Sequence, residues 1–166
     1  MKRLPVRITS HLPTVWPKAR GMLAQGNVRV NPTSKLRAKV IVFDTQKSLR
    51  RFWKRYTKHD LGRGCLGAVN SLAHSVIKIQ PKGSKKPETE YLCLDAKYFC
   101  VIGLLRGHTG TRVICHESVH AAFAYIKRRV RNHWDRLARE NDEEEIAYPT
   151  GEIARGIVIF LNRHKL

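Results

Sequence analysis

The chain has 166 residues, 42% of them hydrophobic, which suits one compact domain with its own core. Thirty-two Lys and Arg against thirteen Asp and Glu leave a formal net charge of +19, a field that favours nucleic acid or an acidic protein as partner. No apolar run approaches the roughly 20 residues that span a bilayer, the basic N-terminus lacks the apolar stretch of a secretory signal, and the four cysteines form no Cys-x-x-Cys pair, which together exclude a membrane protein and predict free thiols in a reducing cytoplasm.

Residues 1–37 are read as a basic segment set apart from a domain over 38–166. Up to Phe43 there are nine Lys or Arg and no acid, and Pro5, Pro13, Pro17 and Pro32 cut the segment into short pieces. Two forms are compatible with it. One is short strands, with a turn and a brief strand over 25–32; the other is an arm that orders on a partner. The β-branched run 39–43 predicts a strand, and Asp44 or Thr45 then caps a helix to about residue 58. Leu49, Phe52, Trp53 and Tyr56 fall on one side of that helix. Lys47, Arg50, Arg51, Lys54, Arg55 and Lys58 fall on the other, with no acid among them. Exposed faces usually mix signs, because like charges four apart mildly destabilise a helix. This face is therefore a candidate nucleic-acid surface, or one for an acidic protein.

Residues 61–68, with Gly62, Gly64 and Gly67, read as a loop; the Lys-Ser/Thr pair of a phosphate loop is missing. Residues 75–80 alternate like a strand, 81–87 form a basic turn, and strand character resumes over 91–94. The apolar run 98–105 predicts one more strand. It leads past Gly107 and Gly110 into a helix that Thr109 or Thr111 can cap. Val113, Val119, Phe123, Ile126, Val130, Trp134 and Leu137 recur at helical steps and predict its apolar stripe. Taken together, the order of elements predicts an α+β fold with a small, mainly antiparallel sheet.

The helix after residue 110 carries His116-Glu117-Ser118-Val119-His120. Residues four apart share a helix face, so both imidazoles can meet one ion at the usual Zn–N distance of about 2.0–2.1 Å. Glu117 follows the first histidine, where its carboxylate can take a proton from a water on that ion. A zinc enzyme also needs a third protein ligand and an open fourth position. The acidic turn over 142–145 is the candidate source, although these glutamates also complement a helix dipole. Helical periodicity places Glu143 nearer the stripe of Ile146, Ala147, Ile153, Ala154 and Ile157. His133 lies thirteen residues beyond His120, too far along to share its ion.

The pair HESVH and EEEIAY is similar to the gluzincin metallopeptidases, in which a glutamate on a second helix completes the zinc site. That resemblance implies Zn2+ as cofactor, held by His116, His120 and Glu144, the glutamate three residues before Ala147 and four before Tyr148; Glu143 is the alternative. The run from 40 to 161 also resembles small uncharacterised bacteriophage-encoded zincin-like proteins, which implies a sheet packed against a zincin-type HExxH helix and a second ligand-bearing helix. Pro149 departs from an uninterrupted helix. The implied activity is zinc-dependent hydrolysis of a peptide bond in an acidic or nucleic-acid-associated protein, with Glu117 activating water, in a host cytoplasm if the chain is phage-encoded. The competing class is a non-catalytic phage-type inhibitor or nucleic-acid-binding factor that uses the zinc site structurally. Glu117 counts against it, since a structural site needs no base.

Overall fold

Two apolar runs, 38–43 and 98–105, lie side by side at the centre of the fold. A computed structural model of the chain describes residues 19–57, 60–71, 75–79, 88–92, 97–129 and 143–166. In order they form β1 (Met22–Val28), β2 (Arg37–Phe43), α1 (Gln46–Thr57), β3 (Gly67–Ser71), β4 (Ser75–Ile79), β5 (Glu88–Leu92), β6 (Tyr98–Leu105), α2 (Thr111–Arg129) and α3 (Glu143–His164). The main sheet has the order β1-β2-β6-β3; β4 and β5 pair as a separate two-stranded sheet. β1 and β3 run antiparallel to their neighbours, whereas β2 and β6 at the centre are parallel. The fold is α+β with a mostly antiparallel sheet, as the element order predicts.

Continuous apolar runs suit strands that are buried on both faces. Alternation along the pleat then sends successive side chains to opposite sides. Val40, Val42, Ile102 and Leu104 join the core beneath α2 and α3. Ile41, Phe43 and Val101 join a second core with Leu49, Phe52 and Trp53 of α1. Helices therefore cover both faces, α1 on one and α2 with α3 on the other. Thr45 caps α1, its hydroxyl accepting a bond from the Ser48 amide at 3.2 Å. Close approach of α1 depends on Gly103: a Cβ there would stand 2.7 Å from Leu49 Cδ1 and 2.9 Å from Trp53 Cζ3.

Three features differ from the sequence reading. Residues 67 and 68 are the start of β3 and not the end of a loop, because Gly67 and Ala68 pair with Leu104 and Gly103 of β6. Met22–Val28 pairs along β2, so this part of the basic N-terminal segment belongs to the sheet. The inner face of α2 is also only partly the predicted stripe: Ile126 is buried and Val113 packs against the core, but small residues share the face. Val119 is 37% exposed, while Ser118, Ala121 and Ala122 are wholly buried. Small side chains let α2 lie close to its neighbours, and packing overrides periodicity. Val130, Trp134, Leu137 and His133 lie outside the described residues, as do residues 1–18.

α3 runs through Pro149, which is buried in its second turn. The hydroxyl of Thr150 donates to the carbonyl of Ile146 at 2.7 Å beside it. No helix among the described residues is long and apolar enough to cross a membrane.

Lys39 is the one lysine in the buried interior among the described residues, only 8% exposed in the middle of β2. Burial lowers its pKa, since the charged amine is the form that loses solvation. A group whose folded pKa lies below its unfolded value destabilises the charged fold at neutral pH. The penalty fades as pH rises from the folded toward the unfolded pKa. Lys39→Met therefore raises the midpoint of thermal unfolding at pH 7, and its advantage over wild type shrinks as the pH approaches the ordinary lysine value. Thermal melts of both proteins across alkaline pH check this; a lower midpoint in Lys39→Met would show that the amine has a stabilising partner.

Candidate metal centre

α2 begins where β6 ends. Gly107 turns the chain with φ of +76°, a region that glycine enters without strain. The carbonyl of Gly110 then accepts the amides of Val113 and Ile114 at 3.0 and 3.1 Å, starting the helix. With Ser118, Ala121 and Ala122 turned inward, His116 and His120 are both exposed on the outer side.

The two imidazoles face one another. Their Nε2 atoms are 3.3 Å apart, and the rings stand edge to face with centroids 4.8 Å apart and planes at 81°. Two nitrogens on a tetrahedral zinc, each about 2.0–2.1 Å from the ion, are about 3.3–3.4 Å from each other. The pair therefore has the spacing of two edges of a zinc coordination sphere. It fits the metal as far as two ligands go.

Glu117 lies at the border between that outer side and the core, 5% exposed. Its carboxylate lies over Gly67 of β3, the edge strand. A Cβ on Gly67 would come within 2.8 Å of both Cγ and Oε1 of Glu117, so the absent side chain is the space this carboxylate occupies. Burial pushes the Glu117 pKa up, while the charge of His116 pulls it back down. Cys65 completes the floor. Its thiol donates to the carbonyl of Gly67 at 2.7 Å, and its pKa is raised by burial first and by the Glu117 charge as well. It is a protonated donor, not a thiolate nucleophile.

The third ligand implied by the resemblance is not beside the histidines. Glu143, Glu144 and Glu145 are all exposed in the first turn of α3. Glu144 and Glu145 line a cavity of about 280 Å³ with Val30, Asn31, Tyr125, Ile126 and Tyr148. Tyr125 is five residues past His120, about 7.5 Å farther along α2. Among the described residues, no group of three His, Cys, Asp or Glu is placed to hold one metal ion. The structure thus brings His116 and His120 together, turns the Glu117 carboxylate toward Gly67, and leaves Glu144 apart.

On the other face of the sheet, Lys47, Arg51, Lys54 and Arg55 are exposed on α1. Arg50 is held by Asp60, with Nη2 to Oδ1 at 3.0 Å, so it is not a free member of the row. Lys58 lies outside the described residues. The sequence reading missed Gly67, Cys65 and Asp60. Only pairing with β6 and packing under α2 give the first two their place, and no local signal announces that.

No family model, no curated protein and no solved structure matches this chain. The site must be judged on its own geometry.

The histidine pair and the zinc implied by its motif make a direct prediction about metal. About one zinc per chain is expected, and His116→Ala or His120→Ala each abolishes uptake. Metal analysis after dialysis against trace zinc reads the result. Full occupancy in both variants would remove the histidine pair from any metal site.

Proposed function

We propose that the chain is a zinc-dependent peptidase. The observation that carries this reading is a buried carboxylate, Glu117, next in the helix to one of two histidines whose Nε2 atoms have the separation of zinc ligands. A purely structural site has no use for a desolvated glutamate beside its ligands. Zinc, when bound, supplies the Lewis acidity that makes water nucleophilic at neutral pH and polarises a carbonyl.

The chain's own residues do the rest. Glu117 accepts a proton from the attacking water and delivers it to the leaving amine. Burial suits it to both steps, since a carboxylate with a raised pKa holds the proton more readily in between. β3 is an edge strand of the main sheet, so its outer backbone groups can pair with an extended peptide laid beside Glu117. The net charge of +19 favours an acidic substrate. Glu144 is proposed as third ligand on the resemblance, and this requires the first turn of α3 to close toward His120.

Four variants test the reading. Glu117→Gln keeps zinc and loses at least about 100-fold in cleavage of a mixed peptide library, the usual worth of a general base. Zinc-loaded wild type that cleaves nothing in that library overturns the reading. Gly67→Ala pushes the flexible end of Glu117 aside, so it lowers cleavage with zinc content kept and little change in melting temperature. Unaltered cleavage would mean that the carboxylate's place over β3 does not matter. Glu144→Gln weakens zinc binding strongly and Glu143→Gln does not; the reverse moves the third ligand by one residue.

A further inference from the structure

We infer that the exposed face of α1 docks the phosphate backbone of nucleic acid, on the opposite side of the sheet from the histidine pair. This surface is independent of the zinc reading. It rests on where α1 packs and on what its outer face lacks.

α1 is anchored by Leu49, Phe52 and Trp53, which are 0–4% exposed against the second core. Lys47, Arg51 and Lys54 are exposed at steps of four and three, so they form one row along the helix. The row spans about 10 Å, close to three base steps of B-DNA at about 3.4 Å each. No carboxylate interrupts it. The first turn of α1 contains no acid, although acids there would be stabilising. Arg51 also has a like charge on either side in the row. The helix thus forgoes two ordinary sources of stability and relies on its buried face instead.

Two acids beside α1 among the described residues are already engaged. Asp60 is bound to Arg50 at 3.0 Å. Asp44 accepts a hydrogen bond from Ser48, the main reason its carboxyl lies below the usual range. Meanwhile Glu143, Glu144 and Glu145 belong to α3, in the layer across the sheet. Lys47, Arg51 and Lys54 thus face no acid of their own helix, and both Asp44 and Asp60 are turned to other partners.

Position decides what such a ligand is to the protein. α1 and α2 cover opposite faces of one sheet. A strand of nucleic acid on α1 therefore lies away from Glu117. It is a platform on which the protein sits, not a substrate. One straight cationic row contacts phosphates and carries little base code, so binding is indifferent to sequence and steeply salt-dependent.

The test is fluorescence anisotropy with labelled duplexes of two unrelated sequences, from about 50 to about 200 mM salt. Wild type binds both alike. The combined variant Lys47→Glu, Arg51→Glu, Lys54→Glu loses at least about tenfold in affinity, and its log–log salt slope falls by about 2 to 3. Its circular dichroism, melting temperature and zinc content match wild type; should the reversals disturb folding, the three Gln substitutions read the same slope. Adding duplex leaves zinc binding unchanged, because the two faces are separate. Wild type that binds neither duplex at low salt overturns the inference, as does a combined variant that binds like wild type. Binding of polyglutamate but not of duplex would also overturn it, assigning the row to an acidic protein instead.

Discussion

The parallel pairing of β2 with β6 is the constraint on which the other contacts depend. Parallel neighbours cannot be joined by a tight turn, so the chain must leave the sheet and return between them. Its excursion first lays α1 across one face and later brings β3 to the open edge of β6. Both central strands are buried almost end to end, from Ala38 to Phe43 and from Phe99 to Leu105. Two dry faces require two covers, and α1 has supplied one. α2, leaving β6 through the turn at Gly107, has only the other face to take. That places it over β3, and Glu117 over Gly67.

Within that arrangement α2 is divided along its length by size and polarity. Its inner side, with Ser118, Ala121 and Ala122 wholly buried, is cut small so that the helix can sit close. The histidines are left on the outer side with their rings in contact. Glu117 falls at the seam between them, in contact with a strand lacking a side chain at the one point where a side chain would collide. An ionised carboxylate in such surroundings loses part of its hydration, a cost usually met only where a partner or a function compensates. His116 supplies part of that compensation through its charge.

Charge is distributed by layer as well. The exposed acids of α3 cluster in its first turn, where the helix dipole favours them. The α1 row carries no acid within the helix, and Asp60 beside it is paired with Arg50. A sheet of apolar side chains between the layers keeps the two fields apart. One small chain thus presents a pair of imidazoles on one side and a cationic row on the other.

Much of this was legible in the residues themselves. The runs 39–43 and 98–105 read as strands because they are short, rich in β-branched and aromatic residues, and bounded by turn or cap signals. The capping of α1 by Thr45 and the division of α1 into an aromatic and a cationic side are local consequences of spacing. So is the pairing of His116 with His120, since one turn of helix suffices to bring them together. Tertiary structure alone decided the rest. β3 has an unremarkable sequence and becomes a strand by pairing with β6. The inner face of α2 was misread because periodicity ranks Val119 and Phe123 above alanines, whereas close packing rewards the small residues. Glu144 was assigned by register to the histidines, yet the helix that carries it places it beside Tyr125 and Ile126. Spacing along one helix is dictated by the backbone, but distance between two helices depends on how their side chains pack, and no single segment contains that information.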